Sequence, residues 1–84
     1  MTIKAYVMVK IQVGKDKKVF DEIRNIRRIY SVKEVASVYG DYDFVVKVQA
    51  EDQKGLQAIV FDAIRQIPEV TETVTLIVVR SSEE

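Results

Sequence analysis

Two residue periodicities follow one another along this chain, and their order limits the folds that it can adopt. In IKAYVMVKIQV, apolar residues occupy every second position from Ile3 to Ile11, as in a strand with one buried face. From Val19 to Tyr30, apolar residues recur at steps of four, three and four, the spacing of one helical face. Two strand-like segments, a second helical segment and a last strand follow. The sequence therefore predicts the order β-α-β-β-α-β.

The predicted elements have recognisable ends. The four strands are predicted at residues 3–13, 32–40, 42–50 and 70–79. Asp16 is placed to cap the first helix, 16–29, and Asp52 to cap the second. The second helix is predicted to stop at Pro68, because proline cannot continue the hydrogen-bond ladder. Its apolar stripe contains Leu56, Val60, Ala63, Ile64 and Ile67.

This order of elements predicts an α+β fold of the ferredoxin-like, split βαβ kind. Right-handed crossovers place both helices on one face of a four-stranded antiparallel sheet. A chain of 84 residues has room for one such domain and one core. We therefore expect residues 1–84 to form a single domain.

The face of the sheet opposite the helices is predicted to be unusually apolar. The helix-covered face is expected to take Ile3, Val7, Val9, Phe44, Val46, Val74, Leu76 and Val78. The opposite face is expected to carry Tyr6, Met8, Val45, Ile77 and Val79, with Lys47, Thr73 and Thr75. A patch of five apolar side chains favours a two-fold dimer that pairs the sheets, a dimeric α/β barrel. A strand register shifted by one residue would exchange the two faces.

Composition argues against several classes of function. The chain has 13 basic and 13 acidic residues, no cysteine and no histidine, so thiol chemistry, the commonest general base and the commonest metal ligand are all missing. We expect no catalytic residue, no metal and no cofactor. The basic cluster Arg24, Arg27, Arg28 and Lys33 is expected to be solvated and not to bind nucleic acid. The N-terminus resembles neither a signal peptide nor a membrane span, so a cytoplasmic protein is expected.

The stretch VYGDYDF, between the second and third strands, holds two carboxylates around a turn. A positive φ at Gly40 and a local hydrogen bond of Asp41 would be ordinary turn chemistry. Asp43 needs another reason, because aspartate is disfavoured in a strand. A carboxylate there could hold an ammonium group, while threonine hydroxyls and backbone N–H groups could hold a carboxylate. A turn alone and a site for a zwitterion both remain open on the residues.

Two segments, VASVYGDYDFVVKVQAED and IPEVTETVTLIVV, resemble the effector-binding module of the Lrp/AsnC (feast/famine) transcription regulators, the RAM domain. The matching positions are Gly40, Asp41, Tyr42 and Asp43 in the turn, Asp52 before the second helix, and Thr73 with Thr75 in the last strand. The family usually carries a helix-turn-helix domain before this module. This chain begins at the first strand, so a stand-alone version without a DNA-binding domain is expected. Glu69 also replaces a frequent glycine, which is expected to alter only the local turn.

The resemblance implies a sheet-to-sheet homodimer, further assembly into a ring of dimers, and a free amino acid bound between dimers near the turn. It implies that Asp41 and Asp43 contact the ligand ammonium and that Gly40 and Tyr42 shape the loop. Thr73 and Thr75 would meet the carboxylate, and Tyr39 would line the pocket or serve in packing. The output would pass to a full-length Lrp/AsnC-type regulator or to another client.

Three interpretations remain open. The first is a non-enzymatic amino-acid binding module that regulates through oligomerisation. The second is a small enzyme of the dimeric α+β barrel class, such as a monooxygenase-like protein. The third is an assembly partner that binds no small molecule. A cavity between helices and sheet favours the enzyme, and a pocket at a subunit boundary favours the binding module.

Overall fold

The computed structural model describes residues 2–83 and confirms the predicted order of elements. The strands are β1 (Ile3–Ile11), β2 (Val32–Ser37), β3 (Phe44–Ala50) and β4 (Val70–Ile77). They form one antiparallel sheet in the order β2-β3-β1-β4. Two helical segments connect β1 to β2 and β3 to β4, which gives the ferredoxin-like topology.

The first helix, α1 (Asp16–Asn25), is shorter than predicted and continues as a 3-10 turn, Ile26–Arg28. The prediction that Asp16 caps it is wrong, because Lys15 is the N-cap and makes no side-chain capping bond. Asp16 lies in the first turn, where a carboxylate still interacts favourably with the helix dipole.

The second helical segment changes its winding along its length. It begins as α2 (Gln53–Gln57), continues as a π-helix, Ala58–Ala63, and ends as a 3-10 turn, Ile64–Gln66. Asp52 caps it as predicted, because its Oδ1 accepts a hydrogen bond from the backbone N–H of Gly55 at 2.8 Å. None of the helices in the described residues has the length and apolar character that crossing a membrane requires.

The core lies between the helices and one face of the sheet. Its largest fully buried side chains are Phe44, Ile23, Ile64, Val7, Val9, Val19, Val46 and Val48. All five residues of the predicted stripe in the second helix are also buried. Because apolar side chains from both helices and three strands fill this space, the domain gains most of its stability here.

The predicted faces of β4 are wrong. Thr73 and Thr75 pair with Val9 and Val7, and Val74 pairs with Met8. Residues directly opposite each other in antiparallel strands share a face, so both threonines lie on the helix-covered side. Val74 and Leu76 lie on the opposite side with Met8.

A bulge in β4 is the physical reason for this exchange. The register shifts where Lys10 pairs with Glu72 and Ile11 pairs with Val70, which leaves Thr71 outside the regular pairing. The hydroxyl of Thr71 donates a hydrogen bond to the carbonyl of Lys10 at 3.1 Å. One extra residue reverses the alternation beyond the bulge.

The open face of the sheet nevertheless remains apolar. We use this name for the five side chains Tyr6, Met8, Val45, Val74 and Leu76. Leu76 is 52% exposed. Ile77, which was predicted on this face, pairs with Ala5 and therefore lies on the other side. Because Val74 and Leu76 replace Ile77 and Val79, the expected patch keeps its size.

Candidate functional site

The loop between β2 and β3, residues 38–43, is longer than the tight turn that the sequence predicted. Its two ends are tied together, because the N–H of Val38 donates to the carbonyl of Asp43 at 2.9 Å. The N–H of Asp43 donates in turn to the carbonyl of Val9 at 2.9 Å. The loop is therefore fixed at its base to β1 and to the start of β3, while its middle is exposed.

Asp43 has a structural partner within the fold. Its Oδ2 accepts a hydrogen bond from the backbone N–H of Ile11 at 2.9 Å, in a partly buried position. Ile11 lies where the β1–β4 register shifts, so its N–H needs an acceptor from outside the regular ladder. This bond accounts for an aspartate beside a strand, which ordinary turn chemistry does not explain.

Asp41 and the loop backbone present unused hydrogen-bonding groups. Within residues 2–83, the exposed Asp41 carboxylate has no hydrogen-bond or ion-pair partner, and the N–H groups of residues 39–42 have no acceptor. Gly40 shapes this run with a φ of +150°, although an added Cβ would meet nothing within 4 Å. A run of free backbone N–H groups can receive a carboxylate, and the Asp41 carboxylate can receive an ammonium group.

A concavity of about 430 Å³ lies beside this loop. Its lining consists of Met8, Val38, Tyr39, Gly40, Asp41, Tyr42 and Val45. Met8 and Val45 belong to the open face, so the concavity lies at the edge of the apolar patch. Tyr39 is fully exposed.

Tyr42 connects the loop to β4. Its hydroxyl donates a hydrogen bond to Oε2 of Glu72 at 3.2 Å. Partial burial, together with this hydrogen bond to the negative Glu72 carboxylate, raises the pKa of Tyr42 above its ordinary value. The hydrogen bond to Glu72 holds the loop against β4.

The structure brings together only some of the residues predicted for the site. The five loop residues from Tyr39 to Asp43 lie together, and four of them line the concavity. Thr73 and Thr75 do not line it, because the bulge turns them to the other side of the sheet. Sequence reasoning missed Met8 and Val45 as a wall of the site. Their position on the apolar face could have indicated it.

Glu69 does more than alter a turn. Its Oε2 accepts a hydrogen bond from Nζ of Lys18 at 2.6 Å, and its carbonyl accepts one from the N–H of Gln12 at 2.9 Å. The hydrogen bond from Lys18 lowers the pKa of the Glu69 carboxyl below its ordinary value. Glu69 therefore ties α1 and the end of β1 to the start of β4.

Residues 2–83 contain no group of three or more aspartate, glutamate, histidine or cysteine side chains placed to hold an ion.

Known proteins are similar to this chain in sequence and in fold. The transcriptional regulator FL11 of Pyrococcus horikoshii, described as helix-turn-helix type, is 34% identical over 80 residues, which are 95% of this chain and 50% of FL11. The chain thus spans about half the length of that relative. A homocitrate synthase of Saccharolobus islandicus is 42% identical over 57 residues, 68% of this chain and 12% of the enzyme.

Among solved structures, TTHA0845 of Thermus thermophilus superposes with a TM-score of 0.83 at 29% identity. The superposition covers 94% of this chain and 95% of that one. The sequence profile of the Lrp/AsnC ligand binding domain matches residues 4–84. The chain therefore belongs to the Lrp/AsnC ligand-binding domain family, and this membership supports a regulatory, effector-binding role.

Proposed function

We propose that this chain is a non-enzymatic module that binds a free amino acid and regulates through its own assembly. One observation carries the proposal. The β2–β3 loop combines an unpartnered Asp41 carboxylate, among the described residues, with a run of free backbone N–H groups beside an apolar concavity. A free amino acid offers a complementary group to each of these three features.

Each part of the ligand has a partner in this arrangement. The ammonium group pairs with Asp41, and the carboxylate accepts from the N–H groups of residues 39–42. The ligand side chain rests on Met8 and Val45, which favours an apolar amino acid. Asp43 keeps its hydrogen bond to Ile11 and fixes the base of the loop. Thr73 and Thr75 contribute nothing at this concavity within one protomer.

Assembly follows from the open face. Five apolar side chains on an exposed sheet favour pairing with a second copy. Because the concavity borders this face, a second copy would cover part of it, and the ligand would contact both copies. A ligand that binds only the assembled form stabilises that form by mass action. The dimers would then associate further into a ring.

A regulatory module of this kind acts on another protein, which we call its client. The matched relatives include a transcription regulator and a homocitrate synthase, so a module of this kind accompanies different activities. We propose that this chain acts on a full-length Lrp/AsnC-type regulator, and an enzyme is the second candidate client.

The densely filled core supports a binding module over an enzyme. Phe44, Val46 and Ile64, each at most 1% exposed, fill the centre of the space between helices and sheet. The concavity of about 330 Å³ between the second helix and the end of β3 is open to the surface and does not reach into this core. The site proposed here instead lies on the outside of the domain, beside the face that a second copy would cover.

Thermal unfolding with each of the common amino acids, one at a time, tests the proposal. We expect one apolar amino acid, or a small group of them, to raise Tm. A ligand at 100 times its Kd adds about 2.7 kcal/mol to the free energy of unfolding. The methyl ester and the deaminated analogue of that amino acid should each lose most of the effect.

Asp41→Asn provides the site-specific arm of this experiment. The variant should keep the Tm of the unliganded protein and lose the rise with amino acid. Asp62→Asn is the matched control, because Asp62 is also exposed but lies on the second helix. If no amino acid raises Tm, the proposed function is wrong. If Asp41→Asn responds like Asp62→Asn, the assignment of Asp41 is wrong.

A further inference from the structure

Three arginines lie close together in the last turn of α1 and in the 3-10 turn that follows it, at the opposite end of the sheet from the β2–β3 loop. Arg24, Arg27 and Arg28 are exposed, and together with Asp21 and Asn25 they line a concavity of about 510 Å³. Within residues 2–83, none of the three guanidinium groups has a carboxylate within 4 Å.

A lysine earlier on the same helix differs from the arginines in this respect. On the same helix, Lys18 has two carboxylate partners, Glu22 at 3.6 Å and Glu69 at 2.6 Å. Arg24 instead lies over the ring of Phe20, with 5.8 Å from its Cζ to the ring centroid. The three guanidinium groups thus lie close together and have no acidic partner among the described residues. The chain as a whole has a formal net charge of zero.

Ile29 follows the arginines directly in sequence and is 79% exposed. It borders the neighbouring concavity of about 330 Å³, which Tyr30 and Ser31 also line, and not the one that the three arginines line. The helix dipole favours basic residues near a helix C-terminus, but it gives no reason for a large apolar side chain in water directly after them. Arginine is enriched at protein interfaces and among the residues that contribute most to binding, and the buried centre of an interface is more apolar than the rest of the surface. We call Arg24, Arg27, Arg28 and Ile29 the arginine patch.

We propose that the arginine patch docks an acidic protein segment that carries an apolar side chain. Glutamates or aspartates of the segment pair with the guanidinium groups, which bind carboxylates through two parallel hydrogen bonds. A leucine, isoleucine or phenylalanine of the segment covers Ile29. The arginine patch is separate from the concavity beside the β2–β3 loop, where we propose that the amino acid binds. A client protein could therefore bind to the patch while the loop binds its ligand.

The observations favour a protein segment over nucleic acid. Binding to a phosphate backbone relies on an extended basic stripe, whereas these three arginines form one compact cluster around a single concavity. A phosphate backbone also offers nothing apolar to cover Ile29. Charge complementarity and the apolar anchor together therefore fit an acidic peptide.

Fluorescence anisotropy with defined peptides tests this proposal at physiological ionic strength. The probe is a short fluorescein-labelled peptide of glutamates and leucines. Two control peptides replace leucine by serine or glutamate by lysine. The glutamate–leucine peptide should bind most tightly. Replacing both Arg27 and Arg28 by glutamine should weaken it by about tenfold, as expected for two exposed ion pairs.

Matched variants separate the arginine patch from general effects of charge and hydrophobicity. Lys54→Gln with Arg80→Gln removes the same charge from other exposed positions and should change affinity by less than about twofold. Ile29→Ser should weaken binding of the peptide, whereas Val13→Ser, at a fully exposed valine, should not weaken it. Asp41→Asn should leave peptide binding unchanged.

Three results would overturn the proposal. The first is equal weakening by the two double glutamine variants, which would indicate a diffuse charge effect. The second is equal affinity for the serine and leucine peptides, which would remove the apolar anchor. The third is tighter binding of a short DNA duplex with the same dependence on Arg27 and Arg28, which would make this a nucleic-acid surface. None of these outcomes bears on the amino-acid site.

Discussion

Asp43→Ala tests the structural role assigned to the second carboxylate of the loop. The substitution removes the acceptor of the Ile11 N–H at 2.9 Å and leaves the rest of the loop, residues 38–42, unchanged in sequence. Because Ile11 is only 8% exposed, water reaches its N–H poorly after the carboxylate is lost. The amide is then left largely unsatisfied in the folded state.

The magnitude follows from the nature of this bond. A hydrogen bond to a charged group contributes about 1.5–3 kcal/mol to stability. The position is partly buried, so some solvation returns and we expect a loss of about 2 kcal/mol. For a domain of this size, that loss lowers Tm by about 8–16 °C. Asp43→Asn retains an acceptor oxygen without the charge and should lose about half as much.

Urea unfolding followed by circular dichroism measures these differences, at one fixed protein concentration because assembly adds to apparent stability. Asp41→Ala is the matched control two residues away, since its carboxylate has no partner within residues 2–83. It should change stability by less than about 0.5 kcal/mol. Equal effects of Asp41→Ala and Asp43→Ala would refute the argument, because they would show that the bond to Ile11 contributes nothing.

Three further predictions concern Gly40, the Lys18–Glu69 pair and the open face of the sheet. Gly40→Ala should destabilise the fold by about 1–2 kcal/mol in urea titrations through its φ of +150° alone, since the added Cβ has open space. Lys18 lowers the pKa of Glu69 in the folded protein below its ordinary value of 4.5. The pair therefore stabilises the fold at pH values above 4.5, and this stabilisation is lost as the pH falls through the lower pKa of the folded state. The stability difference between wild type and Lys18→Met should therefore shrink below about pH 4.5, and a difference that is constant from about pH 7 to pH 3 would contradict this. Leu76→Asp should give monomers in sedimentation while Ile77→Asp should not, although the two side chains are 52% and 51% exposed, and the reverse result would place the interface on the other face.

The fold could be predicted from the sequence because its strongest signals are local. Strand and helix periodicities, the Asp52 cap and the stop before Pro68 each depend on residues a few positions apart. Chain order and crossover handedness then leave few topologies. The ends of elements were less well predicted, since α1 tightens into a 3-10 turn after Asn25.

The faces of β4 could not be predicted in the same way. Hydrophobicity alone places Val74 and Leu76 in the core, because they continue the alternation that starts at Val70, which packs against the core. A bulge at Thr71 reverses that alternation. The bulge depends on pairing with Lys10 and Ile11, which lie far earlier in the chain, and no local pattern reports such a pairing.

In the candidate site, too, the local features could be predicted from the sequence and the long-range contacts could not. The loop residues are contiguous, so their proximity could be predicted from Gly40 and its neighbours. The role of Asp43 could not, because its partner is the backbone N–H of Ile11, a group that every non-proline residue possesses. Backbone N–H groups were expected beside the threonines as partners of a ligand carboxylate, but the sequence could not say which ones the loop leaves free. In our proposal the N–H groups of residues 39–42 take this role, and Thr73 and Thr75 do not.

Native mass spectrometry, with and without an equimolar pool of the common amino acids, tests the central claim most directly. We expect an assembly with an even number of protomers that gains the discrete mass of one amino acid per site. The Asp41→Asn protein should form the same dimers and gain no mass. A protein whose mass and oligomeric state are unchanged by the pool would contradict the claim that this chain binds an amino acid.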